Sequence, residues 1–221
     1  METLSRRDRE KQTRENEMIQ AAEAIFRQKG YENSSMDDIA REAQFTKRTL
    51  YQYFTSKDEL FFAVLRKGMG KLQSAIEASI QPQANGFEKI QQVYQASYRF
   101  YLEYPEIFKL LNSIGPARKS EADTNENREG YLVANDAMFR GLAAIISEGQ
   151  ADGSISPELE PHKTAMSLLF IMTGLFNQLA VSGNSFSIHF GMDVKDFSAF
   201  TMGLILRTIQ NQDQLKTGKS S

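Results

Sequence analysis

T-K-R-T-L-Y-Q-Y-F-T-S-K, Thr46 to Lys57, holds three cations, three aromatic rings and no acid. Acids stand on both sides of it: Asp37, Asp38 and Glu42 before, Asp58 and Glu59 after. Leu50 and Phe54 are four apart, with Phe45 just ahead, the spacing of one buried helix face. Lys47, Arg48, Thr49, Tyr51 and Gln52 then fall largely outside. Thr46 suits an N-cap, so the stretch predicts a short helix from Lys47 to about Phe54, roughly 12 Å long at about 1.5 Å per residue. That length suits a major groove. Missing acids make sense there, because each would face phosphates at close range without releasing a counterion.

Upstream, S-M-D-D-I-A-R-E-A opens with Ser35 and Asp38 three apart, a capping-box spacing, and turns Met36, Ile39, Ala40 and Ala43 inward. A turn through Gln44 and Phe45 joins this helix to the next. A longer helix precedes it, from about Arg9 to Lys29, with Met18, Ile19, Ala22, Ile25 and Phe26 as its stripe and Gly30 as its stop. Two helices joined by a short turn, the second carrying bases, predict a helix-turn-helix. The arm R-R-D-R-E-K offers Arg6, Arg7 and Arg9 to a minor groove, but its interspersed acids favour a solvated extension.

Downstream, nearly all apolar spacing is at three and four, so the reading is all-α. Ser56, with Glu59 three later, starts a fourth helix that runs toward Ile80. Pro82, Asn85 and Gly86 punctuate, and a helix follows with Phe87, Ile90, Tyr94, Ser97, Tyr98 and Tyr101 on one side. Pro105 suits the first turn of a short helix. Residues 115–128 are polar and aperiodic and read as a mobile loop. Further helices are expected over about Tyr131–Glu148, Pro161–Val181 and Val194–Gln212, then a disordered tail over 213–221. Ala165–Phe176 and F-S-A-F-T-M-G-L-I-L are apolar nearly all round. Burial between a domain core and a second subunit explains this, as does a central place within one domain. Gly174 and Gly203 would allow helices to approach closely.

With 41% hydrophobic residues and a net charge of -2 in 221 residues, the chain has enough apolar residues for a real core and is no polycation. A nucleic acid would have to be held by a local patch. Cysteine is absent, which excludes thiol chemistry and disulfides. M-E-T-L-S-R-R-D-R-E-K has no apolar run behind its charges, and Ala165–Phe176 is short for a membrane span. The expectation is a cytoplasmic protein. Its two histidines, His162 and His189, stand alone, and no nucleophile elbow, Walker loop or metal-ligand cluster appears. Catalysis and a cofactor are not expected.

Residues 18–61 resemble the DNA-binding domain of the TetR family of bacterial transcriptional regulators. The resemblance rests on I-Q-A-A-E-A-I-F-R-Q-K-G-Y, S-M-D-D-I-A-R-E-A and T-K-R-T-L-Y-Q-Y-F-T-S-K-D-E-L-F, ungapped across three helices. It implies DNA contact by Ser35, Thr46, Lys47, Arg48, Thr49, Tyr51, Tyr53 and Lys57. Tyr51 and Lys57 would grip the backbone, while Lys47, Arg48, Thr49 and Gln52 would reach base edges. Two positions depart from the pattern: Gln44 stands where glycine is frequent, and Arg48 where a small residue is.

The resemblance divides the chain into a helix-turn-helix domain over 1–55, with a flexible arm over about 1–8, and a ligand-binding and dimerisation bundle over 56–212. It implies a homodimer through the last two helices and a small-molecule inducer. Tyr94, Tyr98, Tyr101, Phe108, Asn112, Met138, Phe139, Met172, Phe176 and Gln178 are candidates to line its pocket, with plain core packing as the alternative for each. The function implied is a repressor that leaves a palindromic operator when the inducer binds. An activator or a DNA-binding-deficient adaptor of the same fold stays open.

Overall fold

The computed structural model describes residues 5–112 and 125–211. Ten helices occur among them: α1 Arg6–Lys29, α2 Met36–Glu42, α3 Lys47–Tyr53, α4 Lys57–Ser79, α5 Gly86–Glu103, α6 Pro105–Asn112, α7 Glu126–Ala151, α8 Pro161–Ser182, α9 Asn184–Phe190 and α10 Val194–Ile209. They belong to two compact units. One holds residues 5–69 with 110–112 and 125–134; the other holds 70–109 with 135–211. The boundary therefore falls inside α4, and α6 and α7 also have residues in both.

In the first unit α1 packs against α2, and α2 against α3. The stripe Met18, Ile19, Ala22, Ile25 and Phe26 is buried, as are Ile39, Leu50, Phe54, Leu60 and Phe61. Phe61 is the hub, edge-on to Phe26 at 5.5 Å and 4.7 Å from the Tyr31 ring. Each such ring or branched aliphatic contributes about 1.5–3 kcal/mol of transfer free energy on burial. This small core holds α2 and α3 at a fixed angle.

In the second unit the rings gather around Phe176, which is fully buried on α8. Tyr101 stacks on it at 5.2 Å with 8° between planes, and Phe108 meets it edge-on at 5.3 Å. Lys89, buried on α5, pairs with Glu148 of α7. Near that pair α5 and α7 touch through glycines: a Cβ on Gly86 would collide with the Gly149 backbone and lie 2.8 Å from the Ile145 carbonyl. Asp152 and Ser154, just past α7, cap the start of α5 by accepting from the Gly86 and Phe87 N–H groups at 2.7 and 3.1 Å.

Several expectations are corrected. The first helix begins at Arg6, not near Arg9, because Ser5 caps it and accepts from the Asp8 N–H at 3.2 Å. Arg6, Arg7 and Asp8 are thus helical and not a flexible arm; residues 1–4 lie outside the described residues. Residues 126–128, assigned to a mobile loop, are the first turn of α7, opened by Asn125 accepting from the Arg128 N–H at 2.8 Å. Residues 115–124 and the tail over 213–221 lie outside the described residues. α9 was not anticipated; Gly183 at φ 51° and Gly191 at φ 63° bracket it. The 22 residues of α8 are long and apolar enough to cross a membrane by length and composition only, a test that a core helix also passes, and seven of them, Phe176 among them, are buried.

Candidate nucleic-acid interface

The capping reading of α2 is met in full. Ser35 Oγ accepts from the Asp38 N–H at 3.1 Å, and the Ser35 N–H donates back to Asp38 Oδ2 at 3.3 Å. Lys29 lies 2.8 Å from the other oxygen of Asp38. The hydrogen bonds from Lys29 and Ser35 hold the Asp38 carboxyl down, from 3.8 to about 2. End of α1 and start of α2 are joined at this point.

Gln44 makes the turn with φ 57°, so a side chain sits in the left-handed region that glycine enters without cost. Thr46 then caps α3, its hydroxyl oxygen accepting from the Thr49 N–H at 3.1 Å. Of the seven helical positions only Leu50 is buried; Phe54, just past the end, is buried beside it in sequence. Lys47, Arg48, Tyr51 and Gln52 are exposed, Tyr51 at 43%, while Thr49 and Tyr53 are half-buried. The helix is one residue shorter than the sequence reading, or about 10 Å at 1.5 Å per residue.

Two of the cations have partners that sequence spacing did not reveal. Lys47 Nζ is 2.8 Å from Asp37 of α2, and that carboxylate pushes the lysine pKa up. Lys57 Nζ donates to the Tyr31 and Ser34 carbonyls at 2.8 and 3.0 Å and lies 4.2 Å from the centroid of the Tyr31 ring. Its ammonium has a third proton to give. The Tyr31 hydroxyl bonds Asp58, so consecutive residues of α4 clasp one tyrosine. Ser35 is exposed at the start of α2. Chain proximity across an inter-helix turn is the only signal that pointed to Asp37; nothing in sequence pointed to Tyr31.

In the second unit the candidate pocket residues divide. Tyr94, Tyr98, Tyr101, Phe108 and Phe176 pack ring on ring, with centroids 5.2–6.2 Å apart. Tyr94 also hydrogen-bonds Ser198 of α10 at 2.7 Å, and burial pushes its hydroxyl pKa up. Met172 is buried, Phe139 is half-buried 6.5 Å from Phe170, and Gln178 is exposed. The side chain of Asn112 lies outside the described residues. Met138 lines a separate apolar cleft of about 190 Å³ with Ile76, Ile80, Val93, Leu142 and Leu169, with Gln73 and Glu77 at its polar edge. Among the described residues no cluster suited to a metal ion occurs.

The family described as "Bacterial regulatory proteins, tetR family" matches residues 18–64, which span α1 from its first buried side chain to the first turns of α4. Residues 18–64 carry the DNA-binding domain of the TetR family. Among the chain's relatives, the transcriptional activator FasR of Mycolicibacterium smegmatis is 29% identical over 98 residues, 44% of this chain and 45% of that one. The match therefore spans less than half of that relative. The transcriptional repressor KstR2 of the same organism is 25% identical over 159 residues, 67% of this chain and 70% of the other. In fold, the TetR-like helical architecture extends well past the matched domain. The crystal structure of the regulator FadR from Bacillus subtilis, solved with stearoyl-CoA, has a TM-score of 0.67 at 18% identity and covers 86% of this chain and 96% of its own. The relatives are transcriptional regulators, not enzymes.

Proposed function

We propose that this chain is a repressor that binds operator DNA as a homodimer and is released by a small molecule with an apolar tail. One observation carries the reading. α3 buries a single side chain and turns Lys47, Arg48, Tyr51 and Gln52 to solvent beside a short turn. Arg and Lys to guanine, and Gln to adenine, are the pairings such a face makes in a major groove, while the Tyr51 hydroxyl and the remaining Lys57 proton suit phosphates. The repressor sense is supported by the longer match to KstR2 than to the activator FasR.

Dimerisation is supported by apolar surface opposite the buried faces of the last long helices. On α8 Met166, Phe170 and Val181 are exposed, Phe170 at 65%, and on α10 Phe200 and Leu204 are exposed. Cβ atoms on Gly174 and Gly203 would meet open space. Half-sites spaced by about 34–36 Å, or a multiple, would then be read together.

For the effector, the Met138 cleft is the better candidate, because the rings around Phe176 already fill one another's space. At about 190 Å³ the cleft is below the roughly 300 Å³ where drug-sized sites begin, so it suits a slim alkyl or aryl tail. The acyl thioester bound by FadR supplies the class to try first. Gln73 and Lys57 both belong to α4, sixteen residues apart in sequence. A ligand that moves that part of α4 thus pulls on the helix that clasps Tyr31.

Selection of bound duplexes from a random pool, followed by titration over salt, tests the whole reading. A palindromic consensus, a steep negative salt slope and release by an acyl-CoA are expected, with Met138→Trp blunting release and not binding. Affinity for every duplex no better than that of a neutral protein would overturn it.

A further inference from the structure

We infer that the first three turns of α1 are a second DNA-contacting element, in which Arg9 and Arg14 hold phosphates flanking the sequence read by α3. The inference rests on the DNA-binding reading above and adds to it an element that lies outside the family match, which begins at residue 18.

These turns have no structural reason to be where they are. From Ser5 to Glu17 every residue is exposed except the half-buried Glu15, and Met18 is the first buried side chain of the helix. Local interactions alone make the segment helical. Ser5 caps it, and its hydroxyl donates to Asp8 Oδ2 at 2.6 Å; Arg6 pairs with Glu10 at 3.0 Å one turn on. A solvated helix needs no particular sign of charge. This one carries Arg6, Arg7, Arg9, Lys11 and Arg14 against Asp8 and Glu10 over its first nine helical residues, with Glu15 and Glu17 following, in a chain whose overall charge is -2.

Placement selects the partner. Arg6, Arg9, Thr13 and Arg14 line one open cleft with Phe45 and Thr49, so this face of α1 shares a concave surface with the turn and the first turn of α3. A duplex whose groove accepted α3 would bring a bounding backbone toward that surface, and duplex DNA carries one charge per about 1.7 Å of axis for the arginines to meet. Two acids, Glu10 and Glu17, also line the cleft. Glu10 is spent on Arg6, whereas Arg9 and Arg14 have no acid within ion-pair distance among the described residues. Glu17 is then an opposing charge, and its removal should favour DNA. Phosphate contact by such a rigid helix positions the dimer without adding to base readout.

The test uses the full-length protein and a duplex selected from the random pool, prepared with long flanks and with flanks cut close to the half-sites. The variants are Arg9→Ala with Arg14→Ala, Arg9→Lys with Arg14→Lys, and Glu17→Gln. Alanine is the better helix former, so unchanged helicity by circular dichroism is expected. On the long duplex the double alanine variant should lose affinity at least tenfold, and its log–log salt slope should fall by about 1.8 per protomer, 0.9 for each phosphate. Wild type and this variant should converge on the short duplex. The lysine variant should keep most of the affinity, and Glu17→Gln should bind the long duplex more tightly. An unchanged slope would make the segment a solvated extension and overturn the inference, as would equal loss on both duplexes. Failure of wild type to bind any duplex would instead remove the regulator reading on which the inference stands.

Discussion

Lys47 Nζ lies 2.8 Å from Asp37 Oδ1, so the first cation of α3 is already engaged by α2 in the DNA-free protein. Both side chains are more than half exposed. Solvent and salt therefore screen the pair, and a phosphate can take the carboxylate's place. Asp37 orders the lysine and also competes for it.

Asp37→Asn should consequently tighten binding to unrelated duplexes several-fold at low salt, with the gain closing as salt rises. Fluorescence anisotropy on a random-sequence duplex measures this. Weaker binding at every salt concentration would mean that orientation of Lys47 by Asp37 outweighs the competition.

Lys57 gives two of its three protons to the Tyr31 and Ser34 carbonyls. Lys57→Met keeps the stem and removes those bonds, which should cost about 1–3 kcal/mol without any DNA present. Thermal or urea unfolding of the free protein reads this directly. An unchanged midpoint would leave phosphate contact as the lysine's sole role.

Gln44 holds φ 57°. A left-handed conformation costs an ordinary residue about 1–2 kcal/mol, part of which glycine gives back through its freer unfolded chain. Gln44→Gly should stabilise the fold by somewhat under 1 kcal/mol, and Gln44→Val should destabilise it. If both substitutions lower the urea midpoint, the Gln44 side chain contributes more than its backbone costs.

Asp38 supplies the pH dependence. Its carboxyl titrates near 2 in the fold and about 3.9 unfolded, so the unfolded chain takes up the proton first on acidification. The stabilisation is complete above about pH 4 and disappears as pH falls through about 2. The difference in melting temperature between wild type and Asp38→Asn should be present at pH 6 and shrink toward zero near pH 2. A constant difference would point away from the Lys29 and Ser35 bonds as its source.

The reading head was legible because its signals are local. Capping by Ser35 and Thr46 and the inward spacing of Leu50 and Phe54 are fixed within a turn or two, and the structure holds each. The start of α1 is hard to read from periodicity because no helix side chain before Met18 is buried, and the Ser5 cap is its one local signal. α9 escaped since seven residues bounded by two glycines carry too short a period to stand out. In the second unit the rings of Tyr94, Tyr101 and Phe176 have the composition of a pocket, and only three-dimensional packing distinguishes filled space from empty space. The cleft beside Met138 draws on four separate helices, which no single periodicity can bring together.

Four of the seven positions of α3, Lys47, Arg48, Tyr51 and Gln52, are exposed and make no demand on the core. Substitutions there change what the helix touches while leaving unfolding free energy nearly untouched, so recognition can drift quickly under selection without the intermediates being lost to aggregation. A library randomised at Lys47, Arg48 and Gln52 should yield mostly foldable proteins, and specificity in this scaffold is a property that can be re-engineered almost independently of its architecture.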